Sequence, residues 1–324
     1  MNEAAVAARR FRLLVLGAII GLTLFGLLDV RRRARIDPLD PKAHKTDLTI
    51  FTGAGAAFVA DARPYDYANP RGWKYCYPPF LALALAPLAR LDPQSQAELW
   101  YAASCVIGWL AWREAVRISR ACGLDVRLHP VNLSSGRWLG WLAVAAVLLP
   151  GLNCLQRGQV GLLNLWLLMW GCRLLLEAST VRGALAAGVV LAIPGVIKLT
   201  PALPAVVAIG SWGLARLRER KLELAIAGPA GLAFGIALFV WLIPAAVLGW
   251  EANQRHLATW GETIATMAVD VDPNSSLETP YTMRNQSLAN AVYRCGNWLD
   301  YAFWGGPDDR LIDAGVRRGR AAVD

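Results

Sequence analysis

Long apolar runs alternate with short polar segments along most of the chain. The first run, residues 11–30, has the roughly 20 positions that a helix needs to cross a bilayer. Other runs follow at residues 97–112, 138–150, 160–176, 183–197, 202–215 and 222–250. Residues 80–91 form a run that is closed by Asp92 and is too short to cross, so we expect it to lie at the membrane interface. The pattern predicts an all-α, polytopic membrane helix bundle, followed by a polar tail after residue 250.

Basic clusters between the runs predict how the helices are oriented. If residues 80–91 do not cross, the clusters within 113–137 and 216–221 fall on one side of the membrane. The polar positions that then share the other side are Asp47, Gln159, Lys198 and Arg284. Because Lys and Arg accumulate on the cytoplasmic side, we predict about seven crossings and a cytoplasmic amino terminus. The arginines around the first run favour the opposite orientation when taken alone, and we give more weight to the two later clusters.

Residues 46–80 stand out as a polar, aromatic and charged segment among the apolar runs. The segment begins with a lone carboxylate, Asp47, and continues through an Ala- and Gly-rich helical stretch to Phe58. Its many aromatic side chains are untypical of a disordered linker, and a long ordered loop outside lipid is usually functional. We therefore expect the chemistry in an extracytoplasmic loop, residues 31–79, that contains juxtamembrane helices.

The composition argues against several other classes of protein. Of the 324 residues, 56% are hydrophobic, which indicates one integral membrane domain, residues 1–304, with a polar basic tail, residues 305–324. The net charge of +9 comes from clusters beside apolar runs, where they contact membrane lipids rather than nucleic acid. The cysteines and histidines form no metal-binding motif. We expect no cofactor, although Asp270 and Asp272 leave room for a divalent metal ion.

Several short motifs occur in a fixed order along the chain. Asp47 is followed by an aromatic residue four positions on, then by a Pro-Tyr turn at 64–65 and a Tyr-Pro-Pro sequence at 77–79. The later motifs are RGQVGLLN at 157–164, IKLTP at 197–201 and RNQSL at 284–288. Over residues 10–295 this order resembles glycosyltransferase family 87. Members of that family are bacterial membrane enzymes of the GT-C type, which take a sugar from a polyprenyl phosphate.

The resemblance implies both a fold and an activity. The implied fold is GT-C-like, and the implied enzyme is an inverting glycosyltransferase that moves a hexose, mannose first of all, from a polyprenyl-phosphate donor. The acceptor would be a lipid or a glycan, and the active site would face outside the cytoplasm at the plasma membrane. Such chemistry needs a base for the acceptor hydroxyl and a cationic cradle for the departing phosphate.

Asp47 is the candidate catalytic base, a role that the resemblance also implies. It directly precedes a helical stretch, so an amino-terminal helix cap is the structural alternative. Asp61 and Asp66 are the rival carboxylates of the same segment. Both lie beside turn-forming residues, where Asp commonly hydrogen-bonds its own backbone.

A further set of residues is expected to contact the donor or the acceptor. Lys198 interrupts an apolar stretch, and an ionisable group within membrane helices is costly enough to suggest function. The alternative is a lysine that snorkels at a helix end. Arginine suits phosphate because of its forked geometry. The set comprises Tyr65, Lys74, Tyr77, Arg157, Gln159, Lys198, Arg284 and Asn285.

Two other readings stay open from the sequence. A transporter or lipid-handling protein would use the same polar pockets as a pathway, although no inverted repeat is visible. Family members usually continue with further membrane helices after the RNQSL-like motif, whereas this chain continues into a polar basic segment, so a truncated or inactive member is the second reading. An enzyme needs Asp47 near the cationic residues on one face, whereas a carrier would distribute charges through the midplane.

Overall fold

The computed structural model describes residues 3–123 and 137–269. Within these ranges the regular elements are helices, and an isolated bridge between Ala68 and Lys74 is the nearest approach to a sheet. In chain order the helices are α1 (Glu3–Arg33), α2 (Leu48–Val59), α3 (Pro79–Leu85), α4 (Pro93–Ala121), α5 (Arg137–Arg157), α6 (Gly161–Glu177), α7 (Val181–Ile197), α8 (Ala202–Arg218), α9 (Leu222–Ala237), α10 (Ile243–Leu248) and α11 (Trp250–Val269). Short 3₁₀ turns occupy Pro41–Ala43 and Ala86–Arg90, and a π-helical turn occupies Leu238–Leu242. The predicted all-α class is confirmed for the described residues.

The chain leaves the bundle after α1 and returns to the same end at α4. Arg31, near the end of α1, forms an ion pair of 2.6 Å with Glu98 in the first turns of α4. The apolar cluster at this contact comprises Val30, Ala34, Ala97 and Tyr101. In the chain between α1 and α4, α3 and its 3₁₀ extension cover Pro79–Arg90. Their combined length is about 20 Å, which falls short of a bilayer core of roughly 30 Å. The segment that holds Asp47 therefore begins and ends at one end of the bundle.

Small residues let the central helices α7 and α9 approach closely. A Cβ on Gly188 would lie 2.2 Å from the carbonyl oxygen of Gly228, and one on Gly231 would lie 2.2 Å from that of Leu185. Helices in membrane proteins commonly pack through such small-residue interfaces, because apolar burial adds little within lipid. This pair forms the rigid centre against which α6 and α8 pack.

One helix of the described chain is long and apolar enough to cross a membrane. It runs without a break from Leu222 to Leu248 over 27 residues, with a mean hydropathy of 2.3 in its most apolar window. The predicted run at 222–250 thus forms the expected helix, with a π-helical turn inside it. The other predicted runs are helical, and the count of about seven crossings stays a prediction.

Some element boundaries that were predicted from the sequence were wrong. The run that was expected to stop at residue 150 continues as α5 through Pro150 to Arg157. The polar tail expected after residue 250 instead begins with α11. The physical reason for α11 is an inward face at helical spacing, formed by Asn253, His256, Leu257 and Trp260.

The described residues up to Thr263 form one compact unit, and Ile264 begins a second unit, of which the structure describes residues 264–269. The predicted single domain 1–304 and the tail 305–324 extend outside the described residues and stay predictions. All contacts discussed below lie within the first unit.

Candidate active site

The Asp47 carboxylate is held by two side chains at the end of α5. Gln159 donates from Nε2 to Oδ2 at 2.6 Å, and Arg157 Nη2 lies 3.2 Å from Oδ1 and 3.1 Å from Oδ2. The Asp47 side chain is 9% exposed and the Arg157 side chain 24%. Two residues that are 110 positions apart in the chain thus form a nearly buried pair, whose orientation is fixed by charge-assisted hydrogen bonds.

Asp47 precedes α2 but does not cap it. Its backbone is already helical, with φ −86° and ψ −15°, and its side chain makes no capping hydrogen bond. A capping aspartate accepts from the first amides of its helix, as Asp92 does at α4 with Gln94 and Ser95. The helix-cap alternative is therefore wrong, since the Asp47 carboxylate points to the end of α5 instead.

The backbones of the two segments are joined at the same place. The Asp47 amide donates to the Arg157 carbonyl at 2.7 Å, and Thr46 Oγ1 donates to the same oxygen at 3.3 Å. The next residue, Gly158, has φ +64°, and a Cβ on it would lie 2.8 Å from Thr46 Oγ1. Glycine is needed here both for the left-handed backbone and for the close approach. This explains why a glycine separates the two side chains that contact Asp47.

An indole flanked by two guanidinium groups adjoins the pair. The Cζ atoms of Arg157 and Arg71 lie 4.9 and 4.5 Å from the centroid of the Trp73 ring, within the range of cation–π attraction. Asn69 is buried and shapes this loop, because its Oδ1 accepts from the Arg71 and Trp73 amides. Its Nδ2 donates to the Thr46 carbonyl at 3.5 Å, which fastens the loop beside the candidate base.

Aromatic rings connect α2 with the segment that leads into α3. Tyr77 stacks on Phe51, which lies one helical turn after Asp47, with centroids 5.6 Å apart and planes at 24°. Burial raises the pKa of the Tyr77 phenol, and the charges of Cys76 and Asp47 raise it further. The hydroxyl therefore stays protonated at neutral pH.

Residues 76–78, here called the strap, are tied through three successive carbonyl groups. Trp260 Nε1 donates to the Cys76 carbonyl at 3.2 Å, the Tyr65 hydroxyl to that of Tyr77 at 3.4 Å, and the Tyr75 hydroxyl to that of Pro78 at 2.5 Å. Each donor is an aromatic side chain with an apolar body and one polar group, which suits a buried scaffold. Each residue of the strap is thus hydrogen-bonded through its carbonyl group.

Lys198 lies near the strap, directly after α7. Burial raises the pKa of the Cys76 thiol, while a hydrogen bond from Tyr77 and the charge of Lys198 partly oppose that rise. Lys198 itself is half-buried and ends the helix, since its amide donates to the Pro194 carbonyl at 3.0 Å. A cation therefore stands close to the strap on the side of α7.

An apolar cavity of about 590 Å³ lies beside the strap. Its walls come from α7, α8, α9, the π-helical turn and α11, and they include Trp241 and Trp260. Gln254 is the polar side chain of an otherwise apolar lining, and Pro78 of the strap and Leu199, which follows Lys198, also border the cavity. The volume falls within the roughly 300–1,000 Å³ that is typical of ligand pockets.

Part of the chain that forms this site is similar to a known protein family. Residues 75–213 match the family model of glycosyltransferase family 87. Over these residues the predicted resemblance is confirmed, and so is the enzyme class, because the family is one of glycosyltransferases. The motifs predicted before residue 75 and after residue 213 lie outside the match. The family is membrane-associated, in keeping with the helix Leu222–Leu248. No curated protein and no solved structure matches the chain.

The part that matches family 87 covers most of the site but not all of it. It contains the strap, Arg157, Gln159 and Lys198, whereas Asp47 lies ahead of it in the chain. The structure brings Asp47 to this part through α2 and the contacts of Thr46. The site thus joins the family 87 segment to the loop that precedes it.

The remaining residues that were predicted to contact the donor or the acceptor are not shown in contact with Asp47. Tyr65 is buried and uses its hydroxyl on the strap, and Lys74 is exposed and pairs through its backbone with Ala68. Their roles in substrate contact stay predictions. Arg284 and Asn285 lie outside the described residues, as do Asp270 and Asp272.

The two rival carboxylates, Asp61 and Asp66, lie away from Asp47 and its partners Arg157 and Gln159. Asp61 follows the far end of α2, a helix of about 18 Å, and faces Arg255 at 3.8 Å and His256 at 3.9 Å. Asp66 is exposed and faces Arg63 at 3.8 Å. Within residues 3–123 and 137–269, no group of three or more His, Cys, Asp or Glu side chains could hold a metal ion.

Sequence reasoning missed several residues that build the site. Gly158, Thr46, Asn69 and Trp260 were not predicted to have a role. Most of them act through main-chain groups, and such hydrogen bonds leave no recognisable pattern of side chains. The glycine between Arg157 and Gln159 was the one signal available, since a glycine between two functional residues often marks a close approach.

Proposed function

We propose that the protein is an inverting membrane glycosyltransferase, which moves a hexose, with mannose as the first expectation, from a polyprenyl phosphate to a lipid or glycan hydroxyl. The observation that carries the proposal is the Asp47 carboxylate held by Arg157 and Gln159. A carboxylate fixed in one orientation beside a cationic group combines a proton acceptor with a contact for an anion, and this reaction needs both.

The reaction needs one proton acceptor and one anion site. The acceptor hydroxyl gives its proton to Asp47 while its oxygen attacks the anomeric carbon from the face opposite the phosphate. The bond between that carbon and the phosphate oxygen breaks, and polyprenyl phosphate leaves with the bonding electron pair. A phosphate is stable as an anion, so no general acid is needed.

The contacts of Asp47 leave room for an acceptor hydroxyl. Among the described residues, Oδ2 is bound by both Gln159 and Arg157, whereas Oδ1 is bound by Arg157. A carboxylate has about four acceptor positions, so Oδ1 can accept one more hydrogen bond. In the proposal the acceptor hydroxyl approaches this oxygen, and the small exposure of the side chain limits competition from water.

The cationic groups suit the departing phosphate. Arg157 lies against the candidate base and also against the Trp73 ring, and Lys198 stands near the strap. Both are within the part of the chain that matches family 87. A phosphate placed between them would have its developing charge stabilised in a site with little water.

The apolar cavity suits the chain of a lipid-linked donor. It borders the strap at Pro78 and the residue after Lys198, so one part of it lies next to a group assigned to the phosphate. A polyprenyl chain is purely hydrocarbon, so it can pack against this apolar lining through van der Waals contacts. The grouping of Asp47, Arg157 and Gln159 at one end supports an enzyme over a carrier, which would spread its charges.

The side of the membrane that each end of the bundle faces can be tested with cysteines placed at the two ends. A cysteine at Asp40 or Arg255 should react with an impermeant thiol reagent added outside the cell, and one at Glu219 should not. Native Cys122 is exposed at the end of α4 and gives an internal marker for the protected side, in a background without the other cysteines. Equal labelling of positions 40 and 219 from outside would contradict an outward-facing site.

Replacing Lys198 with methionine should weaken use of the donor rather than the fold. Loss of a hydrogen bond from a charged donor costs about 1.5–3 kcal/mol, so the KM for a polyprenyl-phosphate hexose should rise roughly tenfold or more. Lys221→Met is the matched control, since Lys221 is exposed and pairs with Glu219 at 3.0 Å. If the Lys198 variant fails to accumulate while the control does, Lys198 is a structural anchor and the phosphate role is wrong.

A further inference from the structure

The same indole borders the cavity and holds the strap. Trp260 lines the cavity on α11, and its Nε1 donates to the Cys76 carbonyl at 3.2 Å. The two other ties of the strap come from Tyr65 and Tyr75, which lie in the same loop as the strap itself. Of these three hydrogen bonds, the one from Trp260 connects the strap to a distant helix, 184 positions along the chain.

The strap in turn positions a ring beside the candidate base. Tyr77, the middle residue of the strap, stacks on Phe51 in α2, and Phe51 follows Asp47 by one helical turn. A shift of the Cys76 carbonyl would move the neighbouring Tyr77, because the peptide unit between them is rigid. A chain of direct contacts thus leads from the cavity wall to the ring next to Asp47.

We propose that Trp260 is a positioning residue, which couples occupancy of the cavity by the apolar chain of the donor to the placement of Tyr77 beside Asp47. The identity of the occupant rests on the proposed function. A hydrocarbon chain packed on Trp260 limits the orientations of the indole. Because indole has a single N–H group, a fixed ring also fixes the bond to Cys76. Binding of the donor's lipid chain in the cavity would thus order the strap before the sugar is transferred.

The comparison of two tryptophans tests this coupling. Trp260→Phe keeps an aromatic wall and removes the N–H donor. Trp241→Phe makes the same change at a cavity residue that forms no hydrogen bond to the strap within the described chain. The probe is undecaprenyl phosphate, and the readout is amide hydrogen exchange of a peptide covering residues 74–80 in the purified full-length protein.

We expect undecaprenyl phosphate to slow exchange at 74–80 severalfold in the wild type and in Trp241→Phe. In Trp260→Phe the slowing should be lost, because the hydrogen bond between residue 260 and the Cys76 carbonyl is absent. Equal slowing in both variants would overturn the proposal. A wild type whose strap amides do not respond to the lipid would overturn it as well, so the result does not depend on whether the Trp260 variant is stable.

Kinetics separate this inference from the proposed function. With a polyprenyl-phosphate hexose, Trp260→Phe should lower kcat about three- to tenfold, the effect of one neutral hydrogen bond, with little change in the donor KM. Trp241→Phe should change the donor KM rather than kcat. A wild type that protects its strap on lipid binding but transfers no sugar would contradict the proposed function and leave the coupling supported. A fall in kcat that is the same for both variants would overturn the coupling alone.

Discussion

Replacing Asp47 with asparagine should reduce hexosyl transfer by about 10² to 10⁴, the usual effect of losing a positioned general base. The amide keeps the shape of the side chain and an oxygen that can accept from Gln159 or Arg157. Because the amide is not basic, it cannot accept the proton of the acceptor hydroxyl. Accumulation in the membrane and donor binding should stay close to those of the wild type, and initial rates with a labelled donor measure the loss.

Asp61→Asn is the matched control for Asp47→Asn. Asp61 is a carboxylate of the same loop, but it is exposed and lies at the opposite end of α2. Its asparagine variant should transfer sugar at nearly the wild-type rate. An active Asp47→Asn together with an inactive Asp61→Asn or Asp66→Asn would move the base to the turn and refute the assignment.

Replacing Gly158 with alanine should reduce transfer almost as strongly, although residue 158 has no side-chain chemistry. A left-handed backbone costs a non-glycine residue about 1–2 kcal/mol. In addition, the new Cβ would lie 2.8 Å from Thr46 Oγ1, so the two segments must move apart. A displacement of about 1 Å between catalytic groups can cost roughly 10²-fold in rate. Measurement of kcat together with thermal unfolding would separate the loss of geometry from the loss of stability.

Gly123→Ala provides the control for backbone strain. Gly123 has φ +73°, and no atom of the described residues lies within 4 Å of the position that its Cβ would take. It follows the carboxyl end of α4, far from Asp47. The two variants share the cost of the left-handed backbone, and Gly158→Ala alone should lose transfer. If both variants keep their activity, the contact between residues 46 and 158 does not control the site.

The helices were predictable from the sequence because apolar runs carry a strong signal. The run at 222–250 became a continuous helix with nearly the expected ends. The expected stop at Pro150 was wrong, since a proline within a helix breaks one hydrogen bond and neighbouring helices can compensate for the loss. α11 was missed because Asn253 and His256 on its buried face are polar, which hides the helical period from a hydropathy pattern.

The first contacts of the site were predictable, and its supports were not. Asp47, Arg157 and Gln159 were singled out as polar groups at the ends of apolar runs, and counting helices placed them at one end. Asn69 was not singled out, because its bonds to three backbone groups depend on the tertiary fold. Trp260 was passed over because its bond spans two distant segments.

The most direct test of the central claim is product analysis of hexosyl transfer by membranes that contain the protein. A polyprenyl-phosphate hexose of defined anomeric configuration, labelled in the sugar, would be incubated with wild type and with Asp47→Asn. The account predicts a labelled product in the wild type alone, with the anomeric configuration inverted because the acceptor attacks opposite the phosphate. A product with retained configuration, or equal product from both proteins, would contradict Asp47 as the base of an inverting transfer.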